Sequence, residues 1–115
     1  MGWNPTPVRD TQWKGPVYWT KQSQALEQDR AAGDRDHRVV HGSEGALGRV
    51  VLQPRNRRLY AELRWQANKK QHSRYLGEVT ADNRAANLAA AWQRAYDLGL
   101  TRTGNTANQD RATTM

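Results

Sequence analysis

From Arg58 to Gln66 the chain alternates between two sets of positions. Leu59, Ala61, Leu63 and Trp65 make one set; Arg58, Tyr60, Glu62, Arg64 and Gln66 make the other. A period of two is that of a strand with one face buried and one open. Before it, Arg49-Val50-Val51-Leu52-Gln53 is apolar and β-branched enough to predict a strand, with a turn over Pro54-Arg55-Asn56-Arg57 between them. After it, Ala67-Asn68-Lys69-Lys70-Gln71 predicts a second turn and His72 to Val79 a third strand. On that third strand Arg74 and Leu76 share one face, and Ser73, Tyr75 and Gly77 the other. Links this short favour an antiparallel meander.

The period then changes. The segment ADNRAANLAAAWQRAYDLGL is rich in Ala, the strongest helix former, and Leu88, Ala91, Trp92, Ala95 and Tyr96 recur at helical spacing as one apolar stripe. Thr80 or Asp82 is placed to cap the start, and Gly99 with Leu100 to close the end. The only apolar surface that matches the stripe is the face carrying Val50, Leu52, Leu59, Ala61, Leu63 and Leu76. The expected fold is α+β: a three-stranded antiparallel sheet packed on one C-terminal helix, over residues 48–100, with an irregular aromatic N-terminal extension.

That extension covers residues 1–47. Pro5, Pro7 and Pro16 oppose regular structure, yet Trp3, Trp13, Tyr18 and Trp19 all lie there. Two readings follow: an extra core layer over the sheet, or an arm that meets DNA or a second protein. Residues 21–32 have the composition of a short exposed helix, with only Ala25, Leu26 and Ala32 as an apolar face, and Val39-Val40 suggests a brief strand. Residues 101–115 contain no large apolar side chain before Met115 and read as a disordered tail.

Charge sharpens this picture. Residues 1–48 and 76–115 each balance their acids and bases. Residues 49–75 hold Arg49, Arg55, Arg57, Arg58, Arg64, Lys69, Lys70 and Arg74 against Glu62 alone, so the whole formal net charge of +7 lies in that stretch. One sign concentrated in this way is the footprint of a polyanionic partner. The sheet alternation also collects Arg49, Gln53, Arg58, Tyr60, Glu62, Arg64, Ser73 and Tyr75 on the uncovered face. A twisted sheet can lie in a major groove about 12 Å wide, where Arg forks read guanine while Lys and Arg of the turns hold phosphates.

Several function classes fall away. There is no Cys, so no disulfide framework and no Cys-based zinc site. His37 and His41 are four apart but sit between Gly33 and Gly42 with no evident third ligand, so no metal is expected. No phosphate-loop glycine motif or nucleophile constellation is present, and neither catalysis nor a cofactor is expected. No apolar run approaches the about 20 residues that span a bilayer. The N-terminus lacks the apolar segment of a secretory signal, so a cytoplasmic, nucleoid-associated protein with no membrane partner is expected.

Tyr60-Ala61-Glu62-Leu63-Arg64, Arg74-Tyr75-Leu76-Gly77, and Ala89-Ala90-Ala91 through Ala95-Tyr96-Asp97 follow in an order that resembles the ethylene-response-factor type of DNA-binding domain. They are also similar to the arm-site-binding domains of phage and transposon tyrosine integrases. The resemblance covers about residues 48–99. It implies a three-strand-plus-helix unit that reads the major groove with its sheet. It also implies Glu62 and Arg64 as base or phosphate contacts, and Tyr75 as a stacking or backbone-contacting aromatic. The first strand lacks the family's Gly-Val-Arg motif, which leaves Arg49, Gln53 and Arg55 less defined. Tyr75 stands for the family's Trp, and Ser73 stands where the family has Arg.

The expectation is therefore a non-catalytic protein that binds double-stranded DNA through Arg49, Gln53, Arg55, Arg57, Arg58, Tyr60, Glu62, Arg64, Lys69, Lys70, Ser73, Arg74 and Tyr75. A composition with Arg well above Lys and abundant Ala suggests a regulator from a GC-rich bacterium, its phage or a mobile element. Two alternatives stay open: a small phage- or plasmid-type inhibitor or adaptor that docks on an acidic protein surface, and an RNA binder that stacks bases on Tyr60 and Tyr75. Glu62 has two readings as well, a cross-strand ion pair that positions a guanidinium or an acceptor for a cytosine amine.

Overall fold

The computed structural model describes residues 8–33, 35–43 and 45–101. Three strands, β1 (Arg49–Arg55), β2 (Arg58–Ala67) and β3 (Lys70–Glu78), form one antiparallel sheet in the order β1-β2-β3. Two helices accompany it, α1 (Lys21–Ala31) before the sheet and α2 (Arg84–Asp97) after it. This is the α+β arrangement that the two periodicities imply.

The strands run further than their apolar residues. Each hairpin closes through two residues, Asn56-Arg57 and Asn68-Lys69, whose φ values are +52°, +64°, +54° and +65°. Two successive left-handed residues make the type I′ turn, whose twist matches that of the flanking strands, and Asn tolerates that region better than most residues. The four- and five-residue turns expected over 54–57 and 67–71 are thus shorter than the sequence suggested. Pro54 falls inside β1, which it can do because β1 is an edge strand and needs no N–H on its outer side.

Register sets the faces. Val50 lies opposite Leu63 and Leu52 opposite Ala61, and these four side chains are buried under α2. Leu88, Ala91, Trp92 and Ala95 of α2 are fully buried against them, as the stripe requires. Asn83, rather than Thr80 or Asp82, caps α2, its side chain accepting from the Ala86 N–H at 2.8 Å. At the other end Leu100 N–H donates to Ala95 C=O and Gly99 N–H to Tyr96 C=O, both at 2.9 Å, with Gly99 at φ +74°. That is the Schellman closure, and Leu100 packs on the core after it. The register of β3 against β2 shifts between Ala61 and Glu62, which brings Gly77 opposite Ala61 and Tyr75 opposite Glu62. Gly77 has φ +115°, and a Cβ there would collide with the Arg94 guanidinium, so this bulge takes glycine.

Polar groups tie the segment before β1 to this unit, beside the core contacts of Ala32 and Val40. Gln28 of α1 is buried, and its carboxamide meets the outer edge of β1: Nε2 donates to Val50 C=O at 3.0 Å, and Oε1 accepts from Val50 N–H at 2.9 Å. The same Oε1 accepts from Trp92 Nε1 at 3.1 Å. Arg84 of α2 forms a fork on Glu27, with both bonds at 2.8 Å, and also donates to Trp13 C=O. Arg38 pairs with Asp29 at 2.5 Å and donates to Gly48 C=O at 3.1 Å. The helix expected over 21–32 as an exposed element is seated on the sheet by these bonds. Asn87, fully buried in α2, bonds Gln12 C=O and both backbone groups of Ala81. Trp13 packs against the core, Trp19 is half-buried, and Tyr18 is 81% exposed; Trp3 lies outside the described residues. Thr101 is buried and bridges Val40, while the rest of the expected tail, 102–115, also lies outside them.

Candidate nucleic-acid interface

The face of the sheet away from α2 carries the register pairs Arg49–Arg64, Val51–Glu62, Gln53–Tyr60 and Arg55–Arg58 between β1 and β2. Between β2 and β3 it carries Glu62–Tyr75, Arg64–Ser73 and, past the bulge, Tyr60–Glu78. The structure thus gathers Arg49, Gln53, Arg55, Arg58, Tyr60, Glu62, Arg64, Ser73 and Tyr75 on one surface. Gln53, Arg55, Asn56, Tyr60, Glu62 and Tyr75 line a shallow depression of about 430 Å³ on it.

The acids on this surface are bound to arginines. Glu62 accepts from Arg64 Nε at 2.6 Å, and Glu78 from Arg58 Nη1 at 3.4 Å. The Glu62 pair runs along one strand, not across strands as one sequence reading had it. The bond uses Nε, and the two terminal Nη groups of Arg64 are the part of the guanidinium that can fork onto two acceptors at once. Arg49 and Arg55 have no carboxylate partner among the described residues. Surface pairs such as Arg58–Glu78, both half-exposed, contribute little to stability and yield readily to a ligand. The Tyr60 and Tyr75 rings are 6.1 Å apart and tilted by 42°, with Tyr75 59% exposed.

Not every expected contact shares that face. Lys70 lies opposite Ala67 and Arg74 opposite Leu63, so both belong to the α2 side of the sheet, where both are exposed. Arg57 and Lys69 occupy the turns at opposite ends of β2. Trp65, on the same alternating set as Leu59, Ala61 and Leu63, is partly buried against the core and stacks on His72 at 5.6 Å. Val51 also lies on this face, opposite Glu62, and two polar open-face residues of β3 escaped the sequence reading, Gln71 opposite Gln66 and Glu78 opposite Tyr60. Reading Asn68-Lys69 as a two-residue turn would have found Gln71. Glu78 depends on the bulge.

The His37 Nδ1 lies 2.6 Å from the Ala32 carbonyl oxygen, and its ring meets Tyr96 edge-on. No group of three potential metal ligands occurs among the described residues, and no helix there is long and apolar enough to cross a membrane. No protein-family model, no curated protein and no solved structure matches the chain, so the likeness to ethylene-response-factor and integrase arm-binding domains rests on the residues quoted for it.

Proposed function

We propose that this chain is a non-catalytic, double-stranded DNA-binding protein that lays its open sheet face in the major groove. The observation that carries this reading is the division of the sheet: α2 covers one face, and the other gathers four arginines and two tyrosines. The Arg64 fork, held by Glu62, suits guanine O6 and N7. Tyr60 and Tyr75 suit apolar contact with sugars or thymine methyls, and the turn cations suit phosphates. A role as a regulator in a bacterium, a phage or a mobile element agrees with the Arg- and Ala-rich composition. The exposed Tyr75 ring beside Tyr60 favours a second reading, stacking of unpaired bases in RNA, in which the same surface holds a single strand.

Gel shifts with duplex DNA, single-stranded DNA and RNA of one sequence separate the two. The expected result is preference for the duplex, with Arg64→Ala weakening it by about 1–3 kcal/mol and relaxing its sequence preference. Equal binding of every probe by Arg64→Ala and the parent would remove the sheet face from the interface. Preference for RNA would replace the first reading with the second.

A further inference from the structure

Beside the outer edge of β1 runs a groove of about 720 Å³, walled on one side by the strand and on the other by the loop and first turns leading into α1. Trp13 and Trp19 line it, and Lys14, Lys21 and Arg49 stand along it. Arg49 belongs to two surfaces at once, since its register with Arg64 also places it on the open sheet face. The groove is therefore continuous with the face assigned to DNA.

An edge strand beside a groove would ordinarily invite an added peptide strand. Here that use is blocked. Gln28 already occupies both backbone groups of Val50. Alternation turns only Leu52 and Pro54 outward after it, and Pro54 has no N–H to give. A single residue, Leu52, cannot hold a peptide ladder. The cations remain, and they favour a polyanion. Lys21 and Arg49 have no carboxylate partner among the described residues. Lys14 makes only a solvent-exposed pair with Asp10 at 3.5 Å, and its ammonium rests 5.4 Å from the Trp13 ring centre.

We propose that this groove takes the phosphodiester backbone of the same DNA at the rim of the major groove, with Lys14, Lys21 and Arg49 on phosphates and Trp19 against the sugars. A sheet inserted in a groove is flanked by the two backbones, and the contacts there fix its register without reading bases. The inference rests on the reading of the sheet face as the DNA surface. It assigns a binding role to a segment whose net charge is zero.

The test is duplex affinity as a function of KCl concentration for the parent, K14A/K21A, K14R/K21R and R64A, each also melted. K14A/K21A is expected to bind about equally more weakly to duplexes of unrelated sequence, to lower the slope of log K against log salt by about two, and to melt like the parent. K14R/K21R keeps the charge and is expected to keep the slope. Parental slope and affinity in K14A/K21A, beside lost binding in R64A, would overturn the groove and leave the sheet reading intact. Loss of slope in both K14A/K21A and K14R/K21R would also overturn it, since charge would not be the cause. A parent that binds no duplex would end both readings.

Discussion

Gln28 occupies a position where a helix usually presents an apolar side chain to the core. Its carboxamide instead copies one residue of a neighbouring strand for Val50 and accepts the Trp92 indole N–H. A buried donor or acceptor left without a partner costs about 1–3 kcal/mol. Gln28→Leu keeps the side chain's bulk but strands the two backbone groups of Val50 and the indole. It is expected to lose at least about 2 kcal/mol of stability, a fall in Tm of roughly 10 °C for a unit of this size. Thermal unfolding followed by circular dichroism measures it; an unchanged Tm would mean that water takes over these bonds. Nothing in KQSQALEQDRAA announced this role, because helical periodicity registers apolar positions and the seat of α1 is made of Gln28, Glu27 and Asp29. Arg64 and Tyr75 were legible for the opposite reason. Up to the bulge, alternation decides which side of the sheet a residue takes.

At the level of elements, the sheet and α2 follow from patterns that local chemistry enforces: period two in β2, helical period in α2, glycine after its end. The turns were misjudged because polar residues at strand ends look like loop. Pro54, Arg55, Lys70 and Gln71 are strand residues held in ladders by two-residue turns. Lys69 adopts φ +65°, which a side chain with a Cβ accepts at a penalty of about 1 kcal/mol relative to glycine. Lys69→Gly is therefore expected to raise stability by about that amount and, by removing one cation from the hairpin tip, to weaken duplex binding at low salt without changing sequence preference. Denaturant titration and gel shifts on one preparation would show the two effects moving in opposite directions. A drop in stability would contradict the I′ geometry of the turn. The bulge at Gly77 could not be read in advance, since its partner Arg94 comes from another element.

For the molecule as a whole, the residues before the sheet act as one of its supports. A chain that begins at Gly42 lacks Gln28, Arg38 and Val40, and its α2 retains an Arg84 without Glu27. It is expected to melt below Gln28→Leu and, below its own melting temperature, to bind duplex DNA through the sheet with a salt slope about two smaller than the parent's. Melting like the full chain would show that residues 1–41 stand apart from the folding unit. The two outer strands also differ in a way that governs how copies can meet. β1 is stopped by Gln28 and Pro54, whereas β3 turns the backbone groups of Gln71, Ser73 and Tyr75 outward, because Leu59 and its alternates already serve the other side. Strand-to-strand growth into a fibre needs two receptive edges per subunit. In the language of polymer chemistry this subunit is monofunctional: an association through β3 joins two copies and then has nowhere to continue.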